Sequence, residues 1–270
     1  MSFARVSPMS SFPHRQAATN QCRLSPSSSC LSTDQHRTDS ITVVSGYWDV
    51  INKHAKQSFN RWFENTLKIN QRYIFFGTES TQAAIALFRG NFETTFIVHP
   101  LEQFYTKPYE IDEWQHPIHV PSSNLGMIWN EKIHLLKMAK DECIQTNTLT
   151  EFYMWIDAGI CTYRNTPPPT TRLTLANVDA LPHDKIIYTD SEDTLHRFSG
   201  GAFLMHHTIV DDVHELYYHE LNACNQDRIW QCGVDQIIFT RLMKKYPHLF
   251  IKLGNGYGTL LGILYDNYIV

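Results

Sequence analysis

No CxxC pair occurs among the six cysteines, Cys22, Cys30, Cys143, Cys161, Cys224 and Cys232. That excludes a zinc ribbon and a thioredoxin-like redox motif. Scattered in this way, they read as reduced thiols of a reducing compartment. No apolar run approaches the ~18 residues of a membrane span. Positive charge is in short supply: 23 Lys and Arg face 27 Asp and Glu, a formal net charge of −4. A broad nucleic-acid-binding face would be basic, so none is expected. P-loop, G-x-G-x-x-G and G-x-S-x-G signatures are also missing. P-loop NTPases, dinucleotide oxidoreductases and α/β hydrolases are therefore poor candidates.

What is present divides near residue 40. Residues 1–40 are rich in Ser, Thr, Pro and Gln and have no hydrophobic periodicity, the composition of a disordered tail. The tail lacks the apolar stretch of a secretory signal. It carries Arg5, Arg15, Arg23 and Arg37 with no acid before Asp34. Two readings stand: a solvated tail on a cytoplasmic protein, or an organelle transit peptide. Residues 41–270 form the expected folded domain. Hydrophobic residues make up 43% of the chain and aromatics 13%, enough for a sizeable core.

Within that domain, apolar runs alternate with helical patterns. Ile41-Thr42-Val43-Val44-Ser45, Tyr73-Ile74-Phe75-Phe76, Thr95-Phe96-Ile97-Val98 and Phe152 to Ile156 read as strands. Ile118-His119-Val120 reads as a short further one. A helix is expected with Ile51, Ala55, Phe59, Trp62 and Phe63 on one face, and another from Ala83 to Arg89. The clearest helix runs from about Leu125 to Ile144, with Trp129, Ile133, Leu136, Ala139 and Cys143 on one stripe. Further on, Lys185 to Tyr188, Ala202 to Met205 and His248 to Ile251 read as strands. Val210 to Leu221 and Val234 to Lys245 read as helices. The segments Thr166 to Thr170 and Gly254 to Gly258 read as loops, rich in proline and glycine respectively. Continuous apolar strands between helices predict an α/β fold with a mostly parallel sheet covered on both faces.

Three segments carry the chemistry. Trp155-Ile156-Asp157-Ala158-Gly159 puts a carboxylate at a strand end, where α/β sheets bind ligands. Asp157 either holds a divalent cation or bonds the next loop's amides. Phe198-Ser199-Gly200-Gly201-Ala202-Phe203 offers a glycine pair, either for close approach to a sugar or for a tight turn. In Gly233-Val234-Asp235-Gln236, Asp235 either serves glycosyl chemistry or caps its helix. Lys132 either reaches phosphate or is solvated, and Arg164 is a further phosphate candidate. Asp190-Ser191-Glu192 is a second carboxylate pair, either a metal site or a solvated acidic loop. His206 and His207, with Asp211, Asp212 and His214 nearby, form a polar strand end from which one histidine could enter the site.

In order and spacing these segments resemble the HtrL/YibB-like family of putative glycosyltransferases, known from surface-polysaccharide loci. Thr42-Val43-Val44-Ser45-Gly46-Tyr47, Trp129-Asn130-Glu131-Lys132 and the segments around Asp157, Gly200 and Asp235 carry the resemblance. It covers residue 41 to the C-terminus. The layout is more distantly similar to GT-A glycosyltransferases of the glycogenin-like type. The resemblance implies a GT-A-like α/β domain that moves a sugar from a nucleotide-sugar donor to a glycan or other hydroxyl acceptor. It puts Ser45, Gly46 and Tyr47 near the nucleoside and Lys132 near the phosphates. Gly200, Gly201, Asp235 and Gln236 would line the sugar pocket. Asp157 would take the first position of an Asp-x-Asp motif for Mn²⁺ or Mg²⁺. Gly159 stands where the second aspartate would be, so a metal would need other ligands. A non-catalytic binding protein of this fold, and a metal-dependent hydrolase built on Asp190 and Glu192, are the alternatives.

Overall fold

The computed structural model describes residues 40–266. The expected tail, with Cys22, Cys30 and its arginines, lies outside the described residues.

The chain alternates strand and helix through its first half: β1 (Ile41–Tyr47), α1 (Lys56–Leu67), β2 (Arg72–Gly77), α2 (Glu79–Arg89) and β3 (Thr94–Val98). A long α3 (Ser123–Gln145) leads to β4 (Phe152–Ile156). The second half contains β5 (Ile186–Asp190), β6 (Phe198–His206), α4 (Val210–Asn225), α5 (Asp235–Lys245), β7 (Phe250–Asn255) and α6 (Leu260–Asp266). The strands form one sheet in the order β3-β2-β1-β4-β6-β5-β7. Only β6 runs against its neighbours. The mostly parallel α/β sheet expected from the sequence is therefore present.

Alternation along each strand divides the core in two. Val44, Ile74, Phe76, Tyr153, Trp155 and Phe203 face Leu136, Tyr217 and Phe239 of α3, α4 and α5. Val43, Tyr73, Phe75, Met154 and Leu204 face Phe63, Ile85 and Leu261 of α1, α2 and α6. The inner strands β4 and β6 are buried along their whole length, which is why they read as unbroken apolar runs.

Several boundaries differ from expectation. Ile51 and Ala55 precede α1: Ala55 is its extended N-cap residue, and Ile51 is exposed in the segment before it. The segment 118–120 is not a strand; a single bridge pairs His116 with Val120. The glycine pair lies inside β6 rather than ahead of it. Gly254 and Asn255 belong to β7, paired with Thr189 and Asp190, so the glycine-rich loop begins later than expected. The apolar run after it forms α6, which buries Leu260, Leu261, Leu264 and Tyr265.

One cysteine reading is overturned. Cys224 at the end of α4 and Cys232 form a disulfide across a separation of 8 residues, with Cα atoms 5.7 Å apart. The turn between α4 and α5 brings them together, which spacing alone does not reveal. Cys143 and Cys161 are free. No helix among the described residues is long and apolar enough to cross a membrane.

Candidate functional site

From β1 the chain moves through β2 to β3 on one side, then returns to lay β4 on the other side of β1. This reversal is a topological switch point, and α/β sheets bind ligands in the crevice beyond the strand ends there. A cavity of about 410 Å³ occupies this place. Gly46, Tyr47 and Trp48 line it from the end of β1, and Asp157 to Cys161 from the end of β4. Trp129 and Lys132 of α3, Gly201, Gln236 and Tyr257 complete much of the wall.

Lys132 is the hinge of the site. Its ammonium lies 2.9 Å from Asp157 Oδ1 and 2.7 Å from Asp235 Oδ2, and donates to the Gly200 carbonyl at 2.8 Å. Three donors thus meet three oxygens. The side chain is 2% exposed. The reading of Lys132 as a solvated helix lysine is wrong, and its ammonium is committed to protein oxygens rather than aimed at a phosphate. The signal was in the sequence: Lys132 lies three residues after Trp129 and four before Leu136, on the apolar stripe of α3.

Burial on its own would lower the Lys132 pKa, but the Asp157 and Asp235 carboxylates outweigh it and the net direction is up. Asp235 is pushed above the usual carboxylate range by burial and by Asp157, with Lys132 opposing. Two carboxylates share one ammonium, so with both acids ionised the trio carries one excess negative charge.

The two acids differ in access. Asp235 is 3% exposed and does not line the cavity. Asp157 does, with its side chain 25% exposed. Asp157 Oδ1 also accepts from the Trp155 indole at 2.7 Å. Its Oδ2 has no hydrogen-bond partner among the described residues. The Gln236 amide donates to the Phe198 carbonyl at 2.9 Å, which fixes the side chain at the wall. A Cβ on Gly200 would lie 2.4 Å from Asp235 Oδ2, so that glycine is required for the carboxylate to approach β6. Gly201 meets the Tyr257 ring, and its carbonyl accepts from the Asp157 amide at 2.8 Å.

The neighbours of Lys132 on α3 brace the site. Asn130 donates to the carbonyl of the disulfide-bonded Cys232 and accepts from the Tyr217 hydroxyl. Glu131, fully buried, accepts from the amides of Tyr105 and Thr106. Each residue of the Trp129-Asn130-Glu131-Lys132 segment thus faces the cavity or holds a neighbouring segment.

Other sequence candidates fall elsewhere. Ser45 is buried within β1 and does not line the cavity. Arg164 does; its guanidinium covers the Trp62 ring, 4.2 Å from the centroid. The solvated-loop reading fails for Asp190, which is 5% exposed. Its Oδ2 accepts from Arg197 and its Oδ1 from the Glu192 amide, which leaves little for a metal. His206 ends β6, five residues and about 17 Å beyond Gly201, so it does not enter the site. It meets Glu151 and His183 there, a set whose ligand atoms lie within 4.8 Å of one another. The rings of His183 and His206 stack in parallel at 4.0 Å and 4°, so their in-plane lone pairs run side by side rather than converge. Asp211 pairs with Lys137 and Lys140, and His214 with His134, away from the cavity.

Sequence reasoning missed Lys53 and His54, which line the cavity from the segment after β1. No motif marks them; only the fold brings them to Asp157.

A divalent cation, the partner the resemblance implies at Asp157, does not fit the side chains present. The Lys132 ammonium already occupies Asp157 Oδ1. A Cβ on Gly159 would lie 3.0 Å from the Phe59 ring, so the second motif position is packed rather than open. Among the described residues, no cluster of three acids, histidines or cysteines with convergent ligand atoms includes Asp157.

No family model and no curated protein matches the sequence. Among solved structures, the chain is similar to a mannosyltransferase from Pyrobaculum calidifontis, determined with GDP-Man and Mn²⁺. The identity is 10% and the TM-score 0.35, over 66% of this chain and 47% of that one. The chain thus spans about half the length of that protein, and a likeness of this size bears on neither activity nor substrate.

Proposed function

We propose that the protein is a GT-A-like glycosyltransferase that moves a sugar from a nucleotide-sugar donor to a hydroxyl of a glycan or other acceptor. The observation that carries this reading is the Asp157–Lys132–Asp235 trio at the switch-point cavity. Residues from three distant segments meet where an α/β sheet binds nucleotides, and they are the residues matched in the HtrL/YibB-like resemblance.

The cavity falls within the range of small-molecule sites, about 300–1,000 Å³. Gly46 and Tyr47 take the nucleoside side. Asp157 is the carboxylate nearest the transferred sugar, because Asp235 lies behind Lys132. Positive charge develops at the anomeric carbon as the leaving group departs, and the excess negative charge of the trio stabilises it. Asp235 and Lys132 act as positioning residues that hold Asp157 in one orientation. Gln236 offers an amide oxygen to a sugar hydroxyl, and Gly201 lets the Tyr257 ring pack against β6 at the cavity wall.

The test is nucleotide release from UDP-, GDP-, CMP- and dTDP-sugars with the full chain, with and without Mn²⁺. Release from one donor, lost in Asp157→Asn while the thermal unfolding profile is kept, is the expected result. Full activity in Asp157→Asn would remove the site from this cavity. Binding of a donor without turnover would favour the non-catalytic alternative, to which Gly159 and the committed Lys132 also point.

A further inference from the structure

If no divalent cation fits at Asp157, something else must neutralise the donor's diphosphate. Most cations near acids in this structure are paired with them, as in Lys56 with Asp49, Arg197 with Asp190 and Arg228 with Glu113. The cavity holds two exceptions. Lys53 and Arg164 line it, and neither makes an ion pair among the described residues. Of the other charged groups there, Lys132 and Asp157 bond each other, and Asp193 accepts from its own loop amides at Leu195 and His196. Two cations without a direct ion-pair partner among the described residues therefore border a concave site.

Both are held by aromatic rings rather than left to sample solvent. The Lys53 ammonium lies over Trp129 at 5.2 Å, and the Arg164 guanidinium over Trp62 at 4.2 Å. Arg164 Nε also donates to the Gly159 carbonyl at 3.3 Å. Stacking costs a guanidinium none of its in-plane donors, so its terminal nitrogens stay free for an anion. His54 sits between the two segments, with its ring edge on Trp62 at 5.1 Å. Burial, then Lys53, then Arg164 lower its pKa, so both cations act on the same imidazole at the cavity wall.

We infer that Lys53 and Arg164 form the diphosphate subsite of the donor and neutralise the leaving group with side-chain charge in place of a divalent cation. The inference rests on the donor-site reading above and deepens it. The fork of Arg164 takes two phosphate oxygens and Lys53 adds a point charge. The backbone carbonyl of residue 159 holds Arg164, and glycine there leaves room for the Phe59 ring where the second aspartate of an Asp-x-Asp motif would stand.

Inorganic pyrophosphate is the probe, titrated calorimetrically into the full chain in EDTA. Wild type is expected to bind it. Lys53→Gln and Arg164→Gln should each weaken binding about tenfold or more, the usual loss for a charge-assisted contact. Lys53→Arg should retain binding, and Lys252→Gln, a cation outside the cavity, should leave it unchanged. If Arg164→Gln lowers the unfolding temperature, the exposed Lys53 position alone decides. Absence of binding in EDTA, binding that requires Mn²⁺, or unaltered binding by Lys53→Gln overturns the inference. Donor turnover without pyrophosphate binding would remove this subsite and leave the transferase reading standing. Pyrophosphate binding at Lys53 and Arg164 with no donor turned over would do the reverse.

Discussion

Replacing Lys132 by methionine tests the central arrangement, because it removes one charge from a buried trio and keeps an unbranched side chain one heavy atom shorter. The Asp157 and Asp235 oxygens both touch the Lys132 nitrogen, at 2.9 Å and 2.7 Å, and so lie within about 6 Å of one another. Without the ammonium, two carboxylates face each other and the Gly200 carbonyl loses its donor. At ~6 Å and an effective dielectric of ~20, two unit charges repel by about 3 kcal/mol. That agrees with the ~3–5 kcal/mol typical of breaking a buried pair by removing one partner. For a domain of this size the loss corresponds to a fall in Tm of about 6–12 °C for 3 kcal/mol. The effect should depend on pH. Asp235 already titrates above its ordinary range, and loss of Lys132 raises it further. A folded-state pKa raised above the unfolded value gives stability that is present at low pH and lost as pH rises through the folded value. Lys132→Met should therefore be more destabilised at pH 8 than at pH 5, and adding Asp235→Asn should recover at least half of the loss. Thermal unfolding by circular dichroism at both pH values reads this. A loss below about 1 kcal/mol, or an equal loss at both pH values, would refute the reasoning.

Three more outcomes follow from the same geometry. Gly200→Ala should displace Asp235 and cost about 1–3 kcal/mol with loss of activity; Gly201→Ala, whose Cβ meets only the Tyr257 ring at 3.3 Å, should cost less, as chemical denaturation will show. Reduction of Cys224–Cys232 should cost about 2–3 kcal/mol for so short a loop and loosen the turn that delivers Asp235, so unfolding and activity should both respond to dithiothreitol. His206 is pushed down to about 4 by burial and by His207 and His183, against Glu151, and His214 to about 4 by burial, His134 and Lys137, against Asp211 and Glu131. Since depressed histidines stay neutral in the fold, stability should hold above pH ~6.5 and fall as pH drops towards 4; His214→Gln should flatten that fall in an acid unfolding series.

The disulfide also changes the reading of compartment. Such bonds persist where the surroundings are oxidising, so the expectation of a reducing compartment loses its basis in the cysteines. Counting thiols in the unfolded protein before and after reduction measures the bond directly.

Local chemistry made much of the fold legible. The inner strands are buried on both faces, so Phe152 to Ile156 could only be an apolar run, and Asp157, which follows it, could be read as a carboxylate at a strand end. The glycine pair and the Asp-Gln at the start of α5 were also visible, because each is an interruption of an apolar pattern. Other features depend on contacts between distant segments, and no periodicity reports those. The buried state of Lys132 needed two carboxylates that lie 25 and 103 residues away along the chain. The disulfide needed the turn between α4 and α5. The exclusion of Asp235 from the cavity, and the arrival of Lys53 and Arg164 at its border, are likewise decided by packing. Most strands and helices could be read from the spacing of apolar residues along the chain, though residues 118–120 and α6 could not. Which charges meet depends on the fold, because the energy of a buried charge is set by the partners packed around it.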